Sequence, residues 1–444
     1  MTKVAFHTLG CKVNQYETEA MIDQFKLKDY KIVNFRDKAD IYIINSCTVT
    51  TQAASKSRKR ARRAKRRNPE AKVVMVGCYP QAFPEEVLKI EEIDFIIGAD
   101  GKKDIVNLIE NKLKQYEKEN IKNTEILKEI SSYHDLTDYE NLYVREVKET
   151  TRANIKIEDG CNQFCSYCII PLARGPVRSR NKKSVLKEVK HLLNKDIREI
   201  ILTGTHLGLY GSDRNANRAL SNLIKDIIAI DKNFRIRLSS IEATEINEEL
   251  LYLIKDHDKV CPHLHLPLQS GSEKILQYMN RPYTPQEFEN IVEKIKNLIP
   301  EIAITTDVMV GFPGETDRDF NETLEFIKTI NFSRLHVFPF SPREGTPAAR
   351  MDNKISGNIK NERSQILRNL NKKLMKKYNK KFIGSKRNVI IEDSRDYKSG
   401  LLQGVTDNYI RVLLEAREVF KGKMKTVKLK QSNSHEYLRG KIIK

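Results

Sequence analysis

The sequence predicts an α/β protein of three parts in series. These are a small parallel-sheet domain over residues 1–115, a partial barrel of β/α units over 151–383 reached through a linker at 116–150, and a small β-barrel over 384–444. Three observations carry this. Short β-branched runs alternate with helical stretches in the first part, and such alternation implies parallel strands with helices on the sheet faces. About six further strand–helix units follow in the central part. The tail then has short strand-like runs separated by turns, the pattern of a small barrel. At 444 residues the chain also exceeds a single ordinary core.

In the first part Lys3–Leu9, Asp40–Asn45, Lys72–Gly77 and Asp94–Gly98 are apolar, rich in β-branched residues and ended by small or polar ones. That marks buried strands. Helices are expected over Asn14–Leu27, Gln52–Arg67, Glu85–Ile90 and Lys103–Gln115. In the second of these, Ala54, Ser57, Ala61 and Ala64 recur at helical spacing and form a small-residue face that can lie on the sheet. Nine of the twelve residues from Lys56 to Arg67 are basic. Charge at that density repels itself unless an anion lies against it, which favours phosphate contact over a merely solvated face. The linker is polar and mixed in charge, with a weak helix and a loop expected and no chemistry.

In the central part the expected strands are Asn154–Glu158, Glu199–Thr203, Arg235–Leu238, His263–Leu268, Ala303–Val310 and Arg334–Phe338. Helices intervene at Ser184–Asn194, Asn222–Ile230, Glu248–Lys255, Pro285–Leu298 and Glu322–Thr329. In α/β barrels the catalytic groups lie at the C-terminal strand ends. Cys261, His263 and His265 are expected to be structural. Asn358–Lys381 is expected to be a basic amphipathic helix that packs through Ile366, Leu370, Leu374 and Tyr378. The tail strands are Asn388–Glu392, Leu401–Gly404, Tyr409–Leu414 and Met424–Leu429.

The formal net charge is +20, from 79 Lys+Arg against 59 Asp+Glu, and 14 against 7 of these fall in residues 384–444. Such an excess points to a polyanionic partner, most simply nucleic acid. No apolar run approaches the ~18 residues needed to span a bilayer, and the N-terminus lacks a secretory h-region. A cytoplasmic location is expected. Seven cysteines in a large chain argue for a reducing compartment with metal-binding or catalytic thiols rather than a disulfide framework.

Three of those thiols, Cys161, Cys165 and Cys168, fall within eight residues at C-x3-C-x2-C spacing, just after the first barrel strand. Three ligands leave one coordination position open, whereas a structural zinc site wants four and no opening. A zinc knuckle completed by His206 is the lesser reading. The greater is an iron–sulfur cluster with one iron free. Cys11, Cys47 and Cys78 are scattered over 68 residues, but each follows a strand of the first sheet. Parallel strands end on one edge, so the three should meet there, with Gly10 and Gly77 allowing the sharp turns.

The C-x3-C-x2-C motif, with Tyr167 before its third cysteine, resembles the radical S-adenosylmethionine (SAM) enzymes. In that family the open iron chelates the amino and carboxylate groups of SAM, which is then cleaved reductively to a 5′-deoxyadenosyl radical. Leu9-Gly10-Cys11-Lys12-Val13-Asn14, Asn45-Ser46-Cys47-Thr48-Val49-Thr50 and Val76-Gly77-Cys78-Tyr79-Pro80 extend the resemblance, end to end, to the methylthiotransferase branch of radical SAM proteins. The resemblance implies a flavodoxin-like first domain, a radical SAM partial (β/α)6 barrel and an RNA-binding TRAM domain. It also implies two 4Fe–4S clusters, one on Cys161, Cys165 and Cys168 that cleaves SAM, and one on Cys11, Cys47 and Cys78 that handles sulfur. Tyr167, Ser239, Glu242, Gln269, Asp307, Gly311, Gly314 and Glu315 are implied to hold SAM. Arg174, Arg178 and Arg180 follow the motif and are expected either to hold carboxylate or phosphate or to lie solvated.

The implied reaction is methylthiolation of C2 of N6-threonylcarbamoyladenosine at position 37, beside the tRNA anticodon. The Asn45–Thr50 signature resembles that branch, with Ser46 where threonine is more usual. Implied partners are tRNA through its anticodon loop, a reducing protein such as flavodoxin or ferredoxin, and a sulfur donor. Other branches act on isopentenyladenosine-37 of tRNA or on a ribosomal-protein aspartate. A non-catalytic iron–sulfur RNA-binding protein is the alternative of a different class, but two thiol trios, each with an open position, argue against it.

Overall fold

The computed structural model describes residues 1–119, 127–147 and 151–443. Its first sheet has six parallel strands: β1 Lys3–Thr8, β2 Lys31–Val33, β3 Ile41–Ser46, β4 Lys72–Gly77, β5 Phe95–Ile97 and β6 Leu127–Glu129. Their order is β2-β1-β3-β4-β5-β6, the flavodoxin-like order with one strand added at the edge. Helix α1, Lys12–Leu27, covers one face with Met21 and Phe25 against Ile41, Ile43, Val74 and Val76. Helix α2, Thr51–Arg67, covers the other, and its buried residues are Ala54, Ser57, Ala61 and Ala64, the face the spacing marks. Small side chains there let a helix otherwise made of cations lie close on the sheet.

Two of these strands were not expected. β2 is three residues long and partly exposed, too short to carry a period. β6 lies in the presumed linker, which also packs through three buried residues, Leu136, Leu142 and Val144. Tyr16 Oη donates to Leu142 O at 2.8 Å, and Val144 N donates to Glu188 Oε1 at 2.8 Å. The parts of the linker at 120–126 and 148–150 lie outside the described residues.

The central part has six parallel strands, Arg152–Lys156, Glu199–Thr203, Arg235–Leu238, His263–His265, Ala303–Val310 and Arg334–Pro339. They pair as two groups of three joined through bridges Ile236↔Val260 and Ser240↔His265, giving a six-stranded open barrel. Five C-terminal strands, from Lys386–Arg395 to Leu438–Ile442, close into a barrel whose last strand the sequence reading lacked. The long helix Gly357–Lys380 ties the two barrels together. Its buried residues are Arg363, Ser364, Leu367, Leu374, Met375 and Asn379, while Ile366 is exposed. Strict spacing by four drifts ~40° per step around a 3.6-residue helix, which carries Ile366 off the packed face.

Candidate active site between the first sheet and the central barrel

The flavodoxin-like order reverses between β1 and β3, and ligands bind at such a switch point, beyond the carboxyl ends of the strands. Cys11 follows β1 and caps the start of α1, Cys47 follows β3, and Cys78 follows β4. Gly10 has φ of +110°, and a Cβ there would lie 2.8 Å from the Cys47 Cβ. Gly77 has φ of +96°, and its Cβ would lie 2.7 Å from Asn45 Oδ1. Both glycines are therefore required by conformation and by space. Burial pushes the Cys47 thiol up to about 12, with Cys78 and Cys11 adding to it.

All three cysteines line a cavity of about 730 Å3 whose opposite wall is the barrel: Thr203, Gly204, Ser239, His265, Asp307 and His336. Just past Thr205 on this wall, His206 Nδ1 lies 3.2 Å from Cys161 Sγ. The second trio is held on one loop, where Cys165 N donates to Gln163 O at 2.8 Å and Cys168 N to Cys165 O at 3.0 Å. Burial raises Cys161 and Cys168 to about 12, and in each case neighbouring thiols of the trio add to the rise. All six thiols are free, with no disulfide among them. Cys261, buried against Arg237, is outside both sets.

The donor chemistry fits clusters better than single ions. On one tetrahedral zinc, sulfurs at ~2.3 Å from the metal lie roughly 3.8 Å apart. Among the described residues the one His/Cys/Asp/Glu group of three with ligand atoms within 4.8 Å of each other is His265, Asp307 and His336. Neither thiol trio closes that tightly, so His206 is a neighbour of Cys161 and not the fourth ligand of a zinc knuckle. The first trio also has a compensating charge. Arg174, Arg178, Lys156 and Lys102 surround the buried carboxylates Glu17 and Asp159, with Glu140 beside the two lysines, four cations against three carboxylates, and Arg174 faces Cys78 as well. The surplus suits a set of metal-bound thiolates, which must shed their protons to bind.

Arg174, Arg178 and Arg180 do hold carboxylates, but the protein's own, and none is solvated. Arg174 meets Glu17 at 2.8 Å, Asp159 at 3.0 Å and Asn14 Oδ1 at 2.6 Å. Arg178 donates to Arg174 O at 2.7 Å, and Arg180 pairs with Glu188 and donates to Tyr16 Oη at 3.0 Å. Since Asn14, Tyr16 and Glu17 lie on α1, these arginines clamp the first domain to the barrel.

The expected SAM-holding residues fall into two groups. Ser239 Oγ and Gln269 Oε1 are buried without a hydrogen-bond partner, and Gln269 has φ of +68°. These orphaned atoms suit a polar ligand. Gly311 and Gly314 both have positive φ, at +71° and +81°. Tyr167 packs with Ile275, Met309 and Phe312 beneath the loop. The carboxylates, by contrast, already have partners. Glu242 pairs with Arg281, whose Nη1 lies 3.5 Å from Cys165 Sγ. Glu315 accepts from Gly311 N at 2.7 Å and pairs with Arg363 of the long helix. Asp307 lies 3.3 Å from both His265 and His336; burial works against its charge, but those two histidines hold it well below the usual carboxylate range. His265 and His336 were missed as cavity residues, although inward residues alternate along barrel strands and the pattern His263, His265 and Thr305, Asp307 carries that signal.

Residues 155–327 match the family model described as the Radical SAM superfamily, and residues 3–98 the one described as Uncharacterized protein family UPF0004. The threonylcarbamoyladenosine tRNA methylthiotransferase MtaB of Bacillus subtilis (strain 168) is 40% identical over 100% of this chain and 97% of its own. This chain belongs to the radical SAM methylthiotransferase family. The MtaB protein of Aquifex aeolicus (strain VF5) is 40% identical over 93% of this methylthiotransferase and 97% of its own length. A tRNA-2-methylthio-N(6)-dimethylallyladenosine synthase from Caldicellulosiruptor saccharolyticus is 32% identical over 98% and 91%. In fold the methylthiotransferase resembles the radical S-adenosylmethionine methyltransferase TsrM of Kitasatospora setae, with a TM-score of 0.59, 15% identity, and 79% and 77% of the two chains covered. The enzyme's cofactors are 4Fe–4S clusters and SAM. Among the described residues no helix is long and apolar enough to cross a membrane.

Proposed function

We propose that this enzyme methylthiolates C2 of N6-threonylcarbamoyladenosine at position 37 of tRNA. The observation that carries the reading is the single cavity bounded by Cys11, Cys47 and Cys78 on one wall and by barrel strand ends on the other. Relatives at 40% identity bear the name of that activity over nearly their whole length. The dimethylallyladenosine branch is the second reading, supported by relatives at 32–34% identity.

In this reading Cys161, Cys165 and Cys168 hold the cluster that takes SAM, and Cys11, Cys47 and Cys78 hold the one that carries sulfur. Clusters held there would supply an electron for SAM cleavage and a methylated sulfur for the substrate carbon, reactivity no side chain provides. The chain's own work is binding and orientation. Ser239 and Gln269 offer buried polar atoms to SAM, and the Gly311–Glu315 turn, pinned by Arg363, gives backbone a close approach. Arg281, held by Glu242 and Tyr283, puts a fixed cation beside Cys165.

Helix α2 lies beside the cavity: Thr51 N donates to Ser341 Oγ at 3.1 Å, and Arg343 beyond the last barrel strand reaches Thr48. Arg58, Arg62 and Lys65 are paired with Glu86, Glu92 and Asp94. Lys56, Lys59, Arg63 and Arg66 are exposed with no ion pair among the described residues, and they are left for phosphate. An anticodon-loop base is unpaired already and can be splayed into the cavity at modest cost. The enzyme then works in the cytoplasm with a flavodoxin- or ferredoxin-type reductant and a sulfur donor. Incubating reconstituted protein with SAM, dithionite and tRNA bearing the threonylcarbamoyl group, then digesting to nucleosides, tests this: mass spectrometry should find the 2-methylthio nucleoside. Product only from isopentenyladenosine tRNA would move the assignment to the second branch.

A further inference from the structure

We propose that Lys12 reads the carboxylate of the threonylcarbamoyl group, making it the residue that selects this nucleoside over other adenosines. The inference rests on the substrate assignment above and deepens it.

Lys12 is the first residue of α1 and follows Cys11 directly. It lines the main cavity and also an adjoining chamber of about 560 Å3, whose other charged walls are Arg152 and Arg237 and the carboxylates Glu19, Glu392 and Asp393. Every other cation of that chamber is committed. Arg237 meets Glu199 and donates to the carbonyls of Asp407 and Thr406, each at 2.9 Å. Arg152 pairs with Glu392. Glu199, the buried anion that holds Arg237, also takes Arg235 at 2.6 Å. Of the chamber's own carboxylates, Glu392 is the one paired with Arg152, and Glu19 keeps a buried Oε2 without a hydrogen-bond partner; neither lies within ion-pair distance of Lys12 among the described residues. Lys12 alone has no ion pair or hydrogen bond to its ammonium among the described residues, and it stands at a helix N-terminus, where the backbone adds positive potential. A partly buried, unpartnered cation in a polar chamber is a site for an anion.

The substrate's own connectivity says where that anion should come. In adenine, C2 and the N6 substituent flank the same ring nitrogen, N1. A base held with C2 toward the Cys11, Cys47 and Cys78 wall therefore presents its N6 substituent to the same wall, one residue's reach from Cys11. The main cavity, which Lys12 lines beside Cys11, gives the threonyl part room. Adenosine without the substituent, or with an apolar one, leaves the ammonium unpaired, and discrimination that rests on an unsatisfied buried polar group is strong.

The test compares wild type, Lys12→Gln and Lys12→Arg as full-length reconstituted protein. The probes are two forms of one tRNA, with the threonylcarbamoyl group or with plain adenosine at position 37. Wild type should bind the modified form more tightly, and Lys12→Gln should lose about 10- to 100-fold of that preference, the value of a charge-assisted hydrogen bond, with kcat/KM lowered mainly through KM. Lys12→Arg should keep most of the preference. Iron content matching wild type in both variants checks that the thiol set is intact. An unchanged preference in Lys12→Gln, with product still formed by wild type, would overturn the inference alone. So would a loss of iron with the preference kept, which would make Lys12 a partner of Cys11. No product from wild type on modified tRNA would overturn the substrate assignment first and the inference with it.

Discussion

The two thiol trios are built in opposite ways. Cys161, Cys165 and Cys168 share one loop, so their meeting needs only local backbone. Cys11, Cys47 and Cys78 come from three βα turns and meet only because β1, β3 and β4 are parallel neighbours. Their electrostatic settings differ too. The scattered trio adjoins a fully buried network with more cations than anions around Arg174. The local trio adjoins the pair of Arg281 with Glu242, and His206 beside Cys161 meets Glu245 at 2.6 Å. A site made from distant segments depends on the domain fold and on the clamp to the barrel; a site made from one loop tolerates more around it.

Cysteine replacements give the sharpest division. Cys47→Ala and Cys165→Ala should each abolish the methylthio product and lower iron from ~8 to ~4 per chain, one four-iron cluster lost in each case. Only Cys165→Ala should also stop formation of 5′-deoxyadenosine from SAM. If both variants stop it, the two trios are not independent and the contrast is broken.

The clamp comes next in size. Arg174→Met gives up charge-assisted hydrogen bonds to Glu17, Asp159 and Asn14, leaving both buried carboxylates to Lys156, Lys102 and Arg178, and should cost about 3–5 kcal/mol in denaturant unfolding. Arg281→Met leaves one carboxylate, Glu242, which burial already raises above the usual range so that it can take a proton; about 1–3 kcal/mol is expected. Equal costs would remove the electrostatic half of the comparison. Third, replacing the exposed Lys59, Arg63 and Arg66 by Gln should weaken tRNA binding and reduce the slope of log K against log salt by about 2. A slope that does not change would take α2 out of the RNA interface.

The smallest effect concerns His7 on β1. Burial, and then Arg60, lower it from 6.5 to about 4. Between those values the unfolded chain holds a proton that the folded chain does not, so stability falls as pH drops through the window. At about pH 5 the loss from this group should be about 1 kcal/mol after screening, and His7→Gln should flatten that limb of the pH–stability curve.

Much of this was legible in the sequence, for physical reasons. Ala54, Ser57, Ala61 and Ala64 mark a helix face because only small residues recur there, and they are buried. The scattered cysteines could be grouped because a parallel sheet puts strand ends on one edge. Other features were out of reach. Arg174, Arg178 and Arg180 look like solvated cations until α1 brings Glu17 and Tyr16 against them, more than 150 residues away in the chain. β6 has three residues and no period, so only pairing with β5 defines it. Lys12 lies within the Leu9–Asn14 motif, yet its lack of a partner is a property of the surrounding pairs and not of its neighbours in sequence.

The C-terminal barrel has a mechanical meaning that follows from its attachment. Arg235 and Arg237 each donate to two carbonyls of that module, and Tyr409 stacks on His263 at 4.3 Å and under the Arg237 guanidinium. Contacts of that kind make an outrigger bolted to the hull, not a float on a line. A tRNA resting on it would be registered against the catalytic chamber by the rigid span between them, so turnover would end with the RNA peeling away while the arm stays where it is.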